Sequence, residues 1–145
     1  EEVVSFRTFM TGEIFGLLTT HSILRHNIGE GVDQSAFAEA IGDAMTKPEA
    51  IAARLFSLRA ESLLTGLDPD VARGRLSGFL IGMELAASRP YWLGRQVAVI
   101  GTPQLSSLYG AALATQGIVA PEFEGDIMNL MGLVSAYRSL RSPTG

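Results

Sequence analysis

Between Asp68 and Ala87 the chain reads "DPDVARGRLSGFLIGMELAA", and Gly74, Gly78, Gly82 and Ala86 recur there at every fourth position. Aspartate followed by proline is a cap-then-start signal for a helix. Residues four apart share one helical face, so the stretch predicts a helix to about Ala87 carrying a stripe of nearly side-chain-free residues. A glycine inside a helix costs about 1 kcal/mol against alanine. Glycines in register therefore imply close approach of something to the backbone. The expectation is another helix or strand packed at short distance; the alternative is a ligand lying along the stripe. Ser77 and Glu84 project from other faces and are available to line a cleft, although charged helix residues are usually solvated.

The flanking sequence has the same helical punctuation. "VVSFRTF", Val3 to Phe9, is rich in β-branched and aromatic residues and predicts a strand. Thr11 is expected to cap the helix that follows, with Glu13 suiting its positive start and Ile14, Leu17, Leu18 and Ile23 supplying the buried face. Asp33 is expected to cap "QSAFAEAIGDAM", in which Phe37, Ile41, Ala44 and Met45 share a face. Pro48 opens another helix with Ile51, Leu55, Leu58 and Ser62 or Leu63 at helical spacing. After a turn at "SRPYWLGR", "QVAVIG" predicts a short buried parallel strand, and "TPQLSSLYGAALATQ" a helix with Leu105, Leu108, Tyr109, Ala112 and Leu113 inward. "GIVAPEFEG" reads as a link. Asp126 then caps a last helix that turns Ile127, Leu130, Met131, Val134 and Tyr137 inward. The class is α/β, rich in helix and poor in strand.

Composition narrows the chemistry. With 145 residues, 47% of them apolar, the chain has the length of one globular domain. A net charge of −4 with no basic run argues against nucleic acid as a partner. The absence of cysteine rules out disulfides, thiolate catalysis and cysteine metal sites, and fits a reducing cytoplasm. "EEVVSFRTFM" does not read as a signal peptide, and "LSGFLIGMELAA" is too short to span a bilayer. The expectation is a soluble cytoplasmic chain without membrane contact. Because Val3 starts a strand without a lead-in, it also reads as a piece of a longer polypeptide.

Two joins between strand and helix are candidate binding positions. In "VAVIGTPQLSSLYGAAL", residues 97 to 113, Gly101 lets a ligand approach the backbone, and the following helix start offers unpaired amides to electron-rich groups. The plainer reading is a tight corner in which Pro103 merely starts the helix, and Gly-Thr-Pro matches neither the phosphate-cradling loop nor the dinucleotide fingerprint. "TFMTGE" repeats the logic: Thr8, Thr11 and Glu13 are placed to meet a polar ligand, although capping already accounts for Thr11 and Glu13. His21 and His26, five apart, do not share a helical face as metal ligands. Arg54, Arg59, Arg73 and Arg75 suit a carboxylate or simple solvation. No pair of carboxylates shows spacing specific to acid-base catalysis.

Taken in order, "SFRTFMTGEIFGLLTTHSIL", "ARLFSLRAESLL", "LSGFLIGMELA" and "VAVIGTPQLSSLYGAAL" resemble the C-terminal half of the 2-dehydro-3-deoxygalactonokinases, and "GDIMNLMGL" is compatible with that family's last helix. The resemblance implies the two-lobed fold of sugar kinases, actin and heat-shock ATPases, with residues 1–145 as the C-terminal, nucleotide-side lobe of this actin-like ATPase (ribonuclease H-like) architecture. It implies magnesium-dependent transfer of the ATP γ-phosphoryl group to the 6-hydroxyl of 2-dehydro-3-deoxygalactonate. By the same resemblance Gly101, Thr102 and Pro103 form the turn that contacts the adenosine end of ATP, with Leu105 and Tyr109 just behind. Thr11, Gly12 and Glu13 lie near the cleft. Superfamily members often carry two glycines at that turn, where this chain has Thr102.

The family's Asp-Trp-Gly-Thr-like phosphate loop and Gly-Thr-His-Ser-Lys-like stretch are absent, and "THSIL" at 20 to 24 does not replace the second. Most phosphate and magnesium contacts and the catalytic base therefore belong to an N-terminal lobe outside this sequence, and the fragment alone is expected to be inactive. The expected partners are ATP, a small sugar acid and that lobe, with a homodimer compatible. The competing reading is a non-catalytic helical interaction module. It explains the capped amphipathic helices but not the order of the matching segments.

Overall fold

The structure, a computed structural model, describes residues 3–141. Among them, the unit ending at Gly94 contains α1 (Thr11–Thr20), α2 (Gln34–Thr46), α3 (Ile51–Thr65), α4 (Pro69–Ala87) and the single turn α5 (Arg89–Trp92). The unit beginning at Arg95 contains β1 (Val99–Gly101), α6 (Pro103–Ala114), β2 (Glu122–Glu124) and α7 (Gly125–Arg141).

The glycine stripe of α4 is a helix-packing surface. A Cβ at Gly74 would lie 2.5 Å from the Asp33 carbonyl oxygen, and one at Gly78 2.5 Å from that of Phe37 and 2.7 Å from the Ala40 Cβ. One at Gly82 would lie 2.6 Å from the Ala44 Cβ. The backbones of α2 and α4 thus approach too closely for side chains between them. On α2, Phe37, Ile41, Ala44 and Met45 are buried as their spacing predicts. The surrounding core joins Leu24, Ile51, Leu58, Leu76, Phe79 and Leu80. Burying a large aliphatic or aromatic side chain contributes about 1.5–3 kcal/mol, so this cluster dominates the unit's stability.

Local chemistry sets the helix ends. The Asp33 carboxylate accepts from Ala36 N–H at 2.8 Å, and Asp68 from Asp70 and Val71 N–H at 2.9 and 3.2 Å. Gly66, left-handed at φ 68°, ends α3. The link before α2 folds back onto the start of α4. Gly29 N–H donates to the Pro69 carbonyl at 2.9 Å, and Gly31 N–H to the Asp70 carboxylate at 2.9 Å.

Three expectations need correction in this unit. Val3 to Phe9 form no strand; Val3, Val4 and Phe6 are exposed, and no ladder partner lies beside them among the described residues. β-propensity without a partner leaves backbone groups unpaired, so it does not make a strand. Thr11 is the first helical residue rather than the cap, a position held by Met10. The inward face of α1 is Phe15 and Leu18, which pack on the core, while Ile14, Leu17 and Ile23 are exposed.

The four arginines have structural partners. Arg54 pairs with Asp43, Arg59 donates to Asn27 Oδ1 at 2.6 Å, and Arg73 donates to the Gly29 carbonyl at 2.9 Å. Arg75 grips Glu61 with two hydrogen bonds, 2.5 and 3.1 Å. Its donated hydrogen bonds hold the Glu61 carboxyl below its ordinary value of 4.5. A depressed carboxylate contributes stability that is complete above the unfolded value and is lost as pH falls through the folded one. The advantage of the native chain over Glu61→Gln, read as the urea midpoint, should therefore shrink between about pH 6 and about pH 3. A difference independent of pH would exclude this assignment.

In the second unit β1 and β2 pair in parallel, Val99 with Glu122 and Gly101 with Glu124, and α6 makes the crossover. The strand predicted over 96–101 is parallel, as expected, but forms only over Val99–Gly101 and is not buried: Ile100 is exposed. β2 lies within the segment read as a link, because "EFE" lacks the β-branched signature of a strand. The last helix departs furthest from expectation. Asp126 sits in its first turn, and Ile127, Leu130, Met131, Val134 and Tyr137 are exposed.

Candidate functional site

The turn Gly101-Thr102-Pro103 joins the end of β1 to α6. Thr102 occupies the N-cap but makes no capping hydrogen bond through its side chain, and Pro103 has no N–H. Ser106 N–H reaches back to the Thr102 carbonyl at 2.9 Å, so the regular ladder of α6 starts there. The amides of Gln104 and Leu105, in the first turn, have no intrahelical acceptor. Thr102, Pro103 and Leu105 are exposed, Leu105 by 47%. An open, uncapped helix start beside an exposed leucine can present amide donors to a polar ligand and an apolar surface to a flat ring.

Behind this turn the packing is tight. A Cβ on Gly101 would meet Ser106 Oγ at 3.3 Å, and one on Gly125, where α7 starts, would lie 3.6 Å from Gly101 Cα. Ser106 is 3% exposed and its hydroxyl has no hydrogen-bond partner among the described residues. Leaving such a group unpaired costs about 1–3 kcal/mol. Sequence periodicity points to Leu105, Leu108, Tyr109, Ala112 and Leu113 as the inner face. The structure buries Ala112 and Leu113 as expected, leaves Leu108 and Tyr109 half-buried and Leu105 exposed, and buries Ser106, which periodicity does not mark. The available signal is the small pair Ser106 and Gly110, four apart on α6, which lets the helix approach the strands closely.

Thr11, Gly12 and Glu13 open α1 in the first unit. The Thr11 hydroxyl donates to the carboxylate of Glu84 near the end of α4, a contact spanning 73 positions in the chain. Gly12 and Glu13 are exposed, and a Cβ on Gly12 would meet nothing within 4 Å. The candidate residues therefore form two groups, one in each compact unit. His21 and His26 are exposed. Among the described residues no group of three or more His, Asp or Glu is arranged to hold a metal ion.

Comparison with known proteins places the chain in a family. The 2-keto-3-deoxy-galactonokinase family model matches residues 1–136. A Rhizobium meliloti (strain 1021) protein named a probable 2-dehydro-3-deoxygalactonokinase is 35% identical, with 97% of this chain and 47% of that protein covered. The 2-dehydro-3-deoxygalactonokinase of Escherichia coli (strain K12) is 30% identical over 93% of this chain and 47% of its own length. A crystal structure from Sinorhizobium meliloti, named as a candidate 2-dehydro-3-deoxygalactonokinase, superposes with a TM-score of 0.87 at 34% identity, covering 95% of this chain and 48% of that one. The chain spans about half the length of the relatives it matches. With a family model aligned from the first residue to Ala136, the chain belongs to the 2-keto-3-deoxy-galactonokinase family.

Proposed function

We propose that residues 1–145 are the nucleotide-side lobe of a two-lobed sugar-acid kinase of actin-like ATPase architecture. The longer polypeptide moves the ATP γ-phosphoryl group to the 6-hydroxyl of 2-dehydro-3-deoxygalactonate. The observation that carries this reading is the family match over residues 1–136, and the open, uncapped turn at Gly101 is compatible with it. Gly101, Thr102 and Pro103 receive the adenosine end of ATP, the first-turn amides of α6 serve as donors, and Leu105 flanks the base. Thr11, Gly12 and Glu13 line the cleft more remotely, with the hydroxyl of Thr11 held by Glu84.

Magnesium is held by one or two carboxylates together with substrate phosphates, and no group of three or more His, Asp or Glu is clustered among the described residues, so no step is assigned here to a metal. Phosphoryl transfer rests on positioning and charge stabilisation. The groups that hold the phosphates and accept the hydroxyl proton are assigned to the other lobe, which makes this chain inactive by itself. Closure of the two lobes would exclude water and limit hydrolysis of ATP.

The test is ATP consumption by the longer polypeptide and by this chain, each with 2-dehydro-3-deoxygalactonate and with its gluconate epimer. Turnover of the galactonate compound by the longer polypeptide, with none by this chain, is expected. No turnover of either epimer would overturn the substrate assignment, and turnover by the chain alone would overturn the division of labour. A reading frame that opens immediately before Glu1 would remove the two-lobe proposal and favour a helical interaction module.

A further inference from the structure

Helix α7 runs for 17 residues without burying one of them. Ile127, Leu130, Met131, Val134 and Tyr137 recur at helical spacing and are between 39% and 63% exposed. Leu133 and Leu140, on another side, are 70% and 86% exposed. Charge is confined to the ends: Asp126 in the first turn, Arg138 and Arg141 in the last, with none from Ile127 to Tyr137. A surface helix normally sets an apolar stripe against a charged face, whereas a helix apolar on several sides belongs inside a larger body. Most of the stability of a protein helix comes from tertiary packing of its apolar face rather than from helix propensity. The face therefore requires a cover.

The pattern narrows what covers it. A helix lying on a lipid surface carries lysine and arginine along its polar side, and the middle of α7 has neither. A reversible partner suits a mixed surface with a polar rim, whereas broad, uncharged apolar coverage is the mark of permanent association. The relatives supply a permanent candidate. In each, 53% of the polypeptide or slightly less lies outside the part this chain matches. A cover on the same polypeptide also avoids the entropy cost of bringing two molecules together.

We infer that α7 is the docking surface on which the other half of the longer polypeptide settles, through Ile127, Leu130, Met131, Val134 and Tyr137. The inference rests on the two-lobe reading above. Hydrogen exchange at α7 tests it, measured in the longer polypeptide and in this chain. Amides of α7 should exchange at least 100-fold more slowly in the longer polypeptide. The double substitution Leu130→Asp with Val134→Asp should return them to the rates of the chain alone. In the chain alone the same pair should leave the thermal midpoint unchanged, because neither side chain is buried there.

Equal exchange rates in the two proteins would overturn the inference. So would protection that survives the double substitution, since it would place the cover elsewhere. A dimer of the chain alone whose α7 is equally protected, and which the double substitution dissociates, would assign the face to a second copy instead. Turnover of the sugar acid is read on the unaltered longer polypeptide. Turnover with an unprotected α7 removes only the docking surface; a protected α7 without turnover removes only the kinase assignment.

Discussion

Gly78→Val is expected to cost this chain about 3 kcal/mol, the largest loss of stability foreseen for a single substitution. The Cβ alone would meet the Phe37 carbonyl oxygen at 2.5 Å and the Ala40 Cβ at 2.7 Å. Neither neighbour is the free end of a flexible side chain. Relief requires α2 and α4 to separate, and that opens the contacts of Phe37, Leu76 and Phe79, all fully buried. Domains of this size have a total stability of about 5–15 kcal/mol, so the variant should lose a large share of it.

Gly42 supplies the control. It lies within α2 on the exposed side, and a Cβ there would meet nothing within 4 Å. Gly42→Ala should therefore gain about 0.5–1 kcal/mol through helix propensity alone. Urea unfolding followed by far-UV circular dichroism reads both. A Gly78→Val midpoint equal to that of the native chain would show that the two helices are not in close contact, and would return the stripe to a ligand.

Those glycines are legible in the sequence because the constraint they record is local. A row of glycines four residues apart along one face admits few explanations, and the partner helix carries its own periodic signal in Phe37, Ile41, Ala44 and Met45. Asp33, Asp68 and Pro69 are legible for the same reason, since capping acts within one turn. Pairing across the chain is not. β2 is three residues, Glu122–Glu124, whose strand character comes from β1 rather than from their own propensity. Val3 to Phe9 show the converse, strong propensity without a partner beside it. At the candidate site, punctuation alone places the turn after Gly101, but the bond from Thr11 to Glu84 spans 73 positions and leaves no local trace. Periodicity marks the face of α7 rightly as apolar and wrongly as covered; it reports that a face needs a partner, not whether this chain supplies it.

Gly101→Val, made in the longer polypeptide, is expected to raise the KM for ATP about tenfold or more, a loss of about 1.4 kcal/mol or more in binding, while the KM for the sugar acid stays within about twofold. Two mechanisms would produce a rise, and they separate. A Cβ at this position meets Ser106 Oγ at 3.3 Å, so a side chain there also presses on α6 from within. If that pressure were the whole effect, removing the hydroxyl would relieve it, and Gly101→Val combined with Ser106→Ala would regain native affinity. If the turn receives the nucleotide, the added side chain still holds the ligand away from the backbone, and the double variant stays weak. Leu105→Asp probes the outer side of the same turn. Leu105 is 47% exposed, so the change leaves the packing of α6 intact, yet it sets a carboxylate where the nucleotide base would lie and should weaken ATP by a similar factor. Native KM for ATP in both Gly101→Val and Leu105→Asp would make the turn a corner between strand and helix and nothing more. Full rescue by Ser106→Ala, with Leu105→Asp silent, would likewise reduce the turn to a corner. A rise in both that Ser106→Ala does not relieve is the result the adenosine assignment requires.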